Sequence, residues 1–160
     1  MERTIRYFIT WTTYGTWLPG DARGWRRRDE GEKLPEPILA QWCKNKMLES
    51  PFFMSPAQRK KVDRICEEHA ARRHWELAAV KACSNHVHLA VEVGDEFGPK
   101  KVRDQFKANA TRCLRCGDDA VVRNKFWTKG GDTEVVGTDE DWEAVQIYIL
   151  EAQDLVEHGK

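Results

Sequence analysis

The stretch SNHVHLAVEV, residues 84–93, places two of the chain's five histidines one residue apart. His86 and His88 run into an apolar alternation that reads as a β-strand. His86, His88, Ala90 and Glu92 then share one face, and Val87, Leu89, Val91 and Val93 the other. The aliphatic set is expected to meet the core. The imidazoles stand about 7 Å apart along the strand. Two nitrogens at that spacing can converge on one divalent metal ion, or can simply be polar groups on a solvated face. A second chemical group lies near the C-terminus. Tyr148 flanks an apolar stripe of Trp142, Val145, Ile149, Ala152 and Val156. A tyrosine there can bury its ring and leave its hydroxyl in water. It can also be a nucleophile, if a metal polarises the group it attacks. With a histidine-bound metal alongside, the pair would suit phosphodiester cleavage: the phenolate attacks phosphorus, a 3′-hydroxyl leaves, and a 5′-phosphotyrosine bond remains.

These groups need elements to hold them. Ile5 to Leu18, rich in aromatic and β-branched residues, is predicted as a strand, broken by the turn residues of LPGDARGW. Pro37 to Met47 is predicted helical. Ser55 followed by Pro56 reads as an N-cap with proline at the first helical position, opening a helix to about Ala71. Trp75–Lys81 and Asn85–Val93 are predicted as a hairpin turning near CSN. GPKKVRDQFKANATRCL carries a helical stripe of Val102, Phe106, Ala110, Cys113 and Leu114. A fourth strand or hairpin is expected within Lys125–Val136. A last helix is expected from about Asp139 to Glu157, its acidic first turn suited to the helix dipole. The order predicts an α+β fold of split βαβ type: an antiparallel sheet with helices packed on one face.

Length and composition fit a single domain spanning residues 1–160. No apolar run approaches the ~20 residues of a membrane span, and MERTIRYFITW lacks the apolar centre of a secretory leader. A cytoplasmic protein without membrane attachment is expected. Formal net charge is zero, but the charges are segregated. Residues 99–129 hold nine Lys or Arg against three Asp, and residues 132–160 hold nine acids against one Lys. RGWRRR adds Arg23, Arg26, Arg27 and Arg28. Such basic clusters can meet phosphates while the acidic end cancels the total. Five cysteines at irregular spacing argue against a disulfide framework. Cys113 and Cys116 form a lone CxxC with no second pair downstream, so zinc is not expected there.

NHVHLAVEV resembles the His–apolar–His (HUH) motif of the single-tyrosine transposases, which include insertion-sequence enzymes and REP-associated tyrosine transposases. The resemblance extends over most of the chain: the aromatic opening RYFITWTTYGTW, the basic helix VRDQFKANATRCL, the segment NKFWTKGGDTEVV and the helix QIYILEAQ follow in the family's order. It implies a ferredoxin-like HUH fold and a metal-dependent single-stranded DNA endonuclease and strand transferase. It further implies Mg²⁺ or Mn²⁺ on His86 and His88, Tyr148 as nucleophile, hairpin-forming single-stranded DNA as partner, and a homodimer. The family's helix supplies a third ligand, an amide four residues after the tyrosine. Here that position is Ala152, which has no ligating atom. At about 100° per helical residue, Gln153 lies roughly 140° and Glu151 about 60° around from Tyr148. Gln153 is the expected ligand because it keeps the amide; Glu151 has the better angle.

Phosphate contacts are expected from Arg26, Arg27 and Arg28 and from Lys101, Arg103 and Lys107 of the basic helix. Trp25, Phe126 and Trp127 are candidates for base stacking or for the core. Two other functions fit parts of the pattern. One is a domesticated or inactive nucleic-acid-binding module on the same fold. The other is an unrelated metal hydrolase, which would need His69 or His74 beside the histidine pair.

Overall fold

The computed structural model describes residues 3–27 and 30–152. Strand β1 (Thr4–Thr12) is followed by a small hairpin, β2 (Trp25–Arg27) and β3 (Gly31–Lys33), and by helices α1 (Pro37–Lys46) and α2 (Pro56–Arg73). Strands β4 (Glu76–Ala82) and β5 (His86–Gly94), helix α3 (Pro99–Leu114), strand β6 (Asp132–Val135) and helix α4 (Asp139–Glu151) complete the order. The main sheet runs β4-β5-β1-β6, each neighbour antiparallel. Reduced to β1, α2, β4, β5, α3 and β6, this is the expected split βαβ α+β fold.

β1 and β5 lie at the centre of the sheet, paired from Thr4↔Gly94 to Thr12↔His86. One face of each strand is apolar by the period-two rule. Tyr7, Ile9 and Trp11 of β1 join Val87, Leu89, Val91 and Val93 of β5 beneath α2 and α3. The helices contribute Val62, Cys66 and Ala70, and Val102, Phe106, Ala110 and Leu114. Each large side chain buried here contributes about 1.5–3 kcal/mol of transfer free energy. Local signals agree with this packing. Ser55 and Gln58 close a capping box around Pro56 at the start of α2, and Pro99 opens α3 after Gly98.

Helices on one face describes α2 and α3. Helix α4 lies on the other face, where Trp142 and Ile149 pack with Ala79, Ala90, Val136 and Phe8. The small side chains of Ala79 and Ala90 let α4 approach closely. The histidine face of β5 is therefore partly roofed and not open.

Two further readings shift, and His69 finds its place. β1 ends at Thr12, because Thr13 and Thr16 exchange hydroxyl and backbone hydrogen bonds in a turn, which compete with the ladder. The LPGDARGW turn stops one residue sooner: Trp25, with Arg26 and Arg27, pairs with Lys33, Glu32 and Gly31. His69 lies in the core. Carried by α2, it is buried against α3, with Nε2 3.1 Å from Gln105 Oε1 and Nδ1 3.3 Å from Asn109 Nδ2. Trp75 and Phe106 meet its ring edge to face. His69 is a satisfied core histidine on the opposite side of the sheet from His86 and His88. With His74 exposed as the left-handed C-cap of α2, the hydrolase alternative loses both of its extra ligands.

Candidate metal and nucleophile site

The β4–β5 hairpin builds the metal half of the site. The backbone N–H of Cys83 donates to His86 O at 2.7 Å, closing a two-residue turn of Ser84 and Asn85. Ala82 pairs with Val87 and Lys81 with His88. Residues directly opposite on antiparallel strands project to the same face. Lys81, Cys83, His86 and His88 therefore share the face that α4 roofs. Ligand atoms of Cys83, His86 and His88 all lie within 4.8 Å of one another. Among the described residues no carboxylate joins them, so Glu151 is outside the group.

The two histidines differ in their surroundings. His86 is half-buried, and its Nδ1 is 2.8 Å from Asn85 Oδ1. An amide oxygen only accepts, so this contact is made by the tautomer with its proton on Nδ1. His88 is 2% exposed. Burial, with the positive neighbours His86 and Lys81 adding to it, pushes its pKa down to about 4. The ring is thus neutral near pH 7. Its Nε2 is buried without a hydrogen-bond partner, a costly state for a polar atom unless something else meets it. A divalent ion fits that place. Two imidazoles and a thiol form a softer donor set than the oxygens that Mg²⁺ prefers.

Helix α4 brings Tyr148, the candidate nucleophile, to the same face. The Tyr148 ring meets His88 at 5.7 Å between centroids and Phe8 at 6.1 Å, yet the residue is 61% exposed. The other two tyrosines have structural partners: Tyr7 donates to Phe97 O, and Tyr14 Oη accepts from Leu48 N. The helix is fastened at both ends. Arg6 of β1 bridges Glu92 and Asp139 at 3.0 and 2.6 Å, beneath Trp142. At the other end the Lys81 ammonium donates to Ala152 O. A cation at a helix C-terminus also suits the dipole. His86, His88 and Tyr148 come together within one chain.

The backbone of Ala152 is extended, so helical angles cannot place residues beyond it. Gln153 lies outside the described residues, as do Val156 and Glu157.

The basic residues divide. Arg26 and Arg27 are exposed on β2, Lys101 is exposed on α3, and Arg28 lies outside the described residues. Arg103 and Lys107 turn to the loop before β6: Arg103 donates to Gly131 O, and Lys107 to Thr128 O and Gly130 O. Gly131 needs this close fit, since a Cβ there would stand 2.7 Å from Thr10 O. That loop borders Thr10 and Thr12, the β1 partners of His88 and His86. Trp25 and Phe126 are buried and Trp127 is partly buried against the core, which favours packing for the first two. Cys113 and Cys116 line a separate cavity between α2 and α3 with Lys61, Arg64, Arg72 and Arg112.

Sequence reasoning missed Cys83, Arg6 and Lys81. The signal for Cys83 and Lys81 was present: once SN is taken as a two-residue turn, the register across it sets Cys83 against His86 and Lys81 against His88.

The sequence matches the family model for IS200-like transposases over residues 43–152, more than half of the chain, and the chain belongs to that family. Its fold is similar to that of a REP-associated tyrosine transposase solved bound to a REP hairpin. The two are 12% identical, with a TM-score of 0.52 over 99% of this chain and 72% of the other. No curated protein matches the sequence. No helix among the described residues is long and apolar enough to cross a membrane.

Proposed function

We propose that this chain is a metal-dependent endonuclease and strand transferase for single-stranded DNA, acting in transposition through a 5′-phosphotyrosine on Tyr148. The observation that carries it is the contact of Tyr148 with the buried, neutral His88 beside His86. Family membership supports the transposase reading. The hairpin in the similar structure supports hairpin-forming DNA as the partner. His86 and His88 would hold a divalent ion, which would draw charge from a non-bridging phosphate oxygen.

The remaining work belongs to the chain's own groups. The Tyr148 hydroxyl gives up its proton and its oxygen bonds to phosphorus. The bond from phosphorus to the 3′ oxygen breaks, and that oxygen takes up a proton and leaves as a hydroxyl. His88 and Phe8 hold the tyrosine ring from below. Arg6 and Lys81 fix the helix that carries it. Arg26, Arg27, Arg28 and Lys101 are assigned to the DNA backbone, and Arg103 and Lys107 to the loop beside the site. Gln153 is kept as an added ligand from the segment after α4. The working assembly is a cytoplasmic homodimer of single-domain chains, each with its tyrosine in cis.

The test incubates the protein with labelled single-stranded hairpin DNA from the flanks of its own gene, with Mn²⁺ or Zn²⁺ added. A denaturing gel should show an adduct for the parent and none for Tyr148→Phe. Tight hairpin binding with no adduct from the parent would favour the binding module, with Ala152 as the lesion.

A further inference from the structure

We propose that Cys83 supplies a thiolate as the third protein ligand of the His86–His88 centre, which makes the site one for a thiophilic divalent ion and not for Mg²⁺. The inference rests on the reading that the two histidines hold a metal. It starts from the turn. A two-residue connection between β4 and β5 sets Cys83 opposite His86, and the pleat then aims both side chains to the face that carries His88. The donors already stand within 4.8 Å of one another. Around a tetrahedral ion, with bonds of about 2.0–2.3 Å, they would be roughly 3.3–3.7 Å apart. Side-chain adjustment on the order of an ångström closes that gap.

Burial gives an independent reason. Cys83 is 0% and His88 2% exposed, and His88 Nε2 lacks a partner. A buried thiol alone is an ordinary packing residue. A buried thiol beside an orphaned imidazole nitrogen, with a second imidazole held at Nδ1 by Asn85 Oδ1, 2.8 Å away, is a donor set. Thiolate and imidazole select ions such as Zn²⁺ and Co²⁺, whereas Mg²⁺ seeks oxygen. With Cys83 taking the place given above to Gln153, three protein ligands leave a fourth position for a phosphate oxygen, as catalytic zinc sites do. On binding, the Cys83 S–H bond breaks, sulfur bonds the ion, and one proton passes to solvent.

The experiment titrates the metal-free protein with Co²⁺ and reads its absorption spectrum. Thiolate ligation gives a near-ultraviolet sulfur-to-cobalt charge-transfer band that nitrogen and oxygen ligands do not. The parent should show the band saturating at one ion per chain, and Zn²⁺ but not Mg²⁺ should bleach it. Cys83→Ser should still bind Co²⁺, more weakly and without the band. His86→Ala should lose the band, and the double change Cys113→Ser, Cys116→Ser should keep it. Co²⁺ bound by the parent in a His86-dependent way but without the band would overturn the thiolate assignment and leave the histidine centre standing. Binding that ignores both His86 and Cys83 would overturn the centre itself. Should Cys83→Ser fail to fold, the parent spectrum with the other variants still decides.

Discussion

The rings of His88 and Tyr148 meet edge to face, 5.7 Å between centroids and 75° between planes, with the histidine buried and the tyrosine in water. In the proposed site the histidine would be both a metal donor and the floor under the nucleophile. His88→Ala should leave a cavity beneath Tyr148 and cost about 1–3 kcal/mol of stability. His86→Ala, at a half-buried position, should cost less than about 1 kcal/mol. Both should abolish adduct formation. Thermal unfolding of the two variants checks the contrast; equal melting temperatures would show that His88 does not support the α4 packing.

In the proposed mechanism Arg6 would position Tyr148 from a distance. Its guanidinium links β1 to Glu92 and to Asp139 at the start of α4. Exposed ion pairs add little stability, so Arg6→Ala should unfold within about 1 kcal/mol of the parent. A misplaced nucleophile is a larger loss: an ångström can cost up to about 100-fold in rate. Single-turnover adduct formation at saturating DNA should slow by about 10-fold or more, with DNA affinity unchanged and partial rescue by Arg6→Lys. A matching fall in affinity would place Arg6 in the DNA interface instead.

The sequence made the strand carrying His86 and His88 legible because a period-two apolar set fixes the face of every residue between Val87 and Val93. The capping box at Ser55 and the stripe of α3 were legible for the same local reason. The side of the sheet that α4 takes was not. An apolar stripe says that Trp142 and Ile149 are buried; it does not say whether they meet Leu89 or Ala90. The small residues Ala79 and Ala90 hold that information only once strand register is known. Cys83 escaped because its partner is across a turn. Lys107 escaped because a lysine in a basic helix reads as a phosphate contact until loop carbonyls are found around its ammonium.

Asp63 connects α2 to the end of β4, accepting the backbone N–H of Ala82 at 2.8 Å. Burial raises its pKa to about 6, and Glu67 adds to the rise; the Ala82 hydrogen bond, Lys81 and Arg59 oppose it. A carboxyl raised above its unfolded value favours folding most below about pH 4, and that contribution is lost as pH rises through about 6. Asp63→Asn keeps the acceptor and removes the charge. Its melting temperature should exceed the parent's at pH 7–8, and the difference should shrink towards pH 4. A variant less stable than the parent at pH 8 would show that the ionised carboxylate strengthens the Ala82 hydrogen bond more than burial penalises it.

Arg26 and Arg27 differ from Lys107 in what their charges already touch. The two arginines are exposed on β2, with Arg27 3.8 Å from Glu30. Lys107 is half-buried, and burial lowers its pKa while its ammonium donates to Thr128 O and Gly130 O. Each phosphate contact to a single strand adds about 0.7 to the slope of log affinity against log salt. Changing Arg26 and Arg27 together to Ala should therefore weaken DNA binding and reduce the slope by up to about 1.4, with unfolding little altered. Lys107→Met should leave the slope unchanged. It should instead destabilise the fold by about 1–3 kcal/mol, because two loop carbonyls lose a charged donor, and hydrogen exchange should quicken across residues 128–131. Affinity measured from low to moderate salt separates the cases. A slope that falls for Lys107→Met and holds for the arginine pair would exchange their roles, with the α3 face and not the β2 hairpin meeting the DNA.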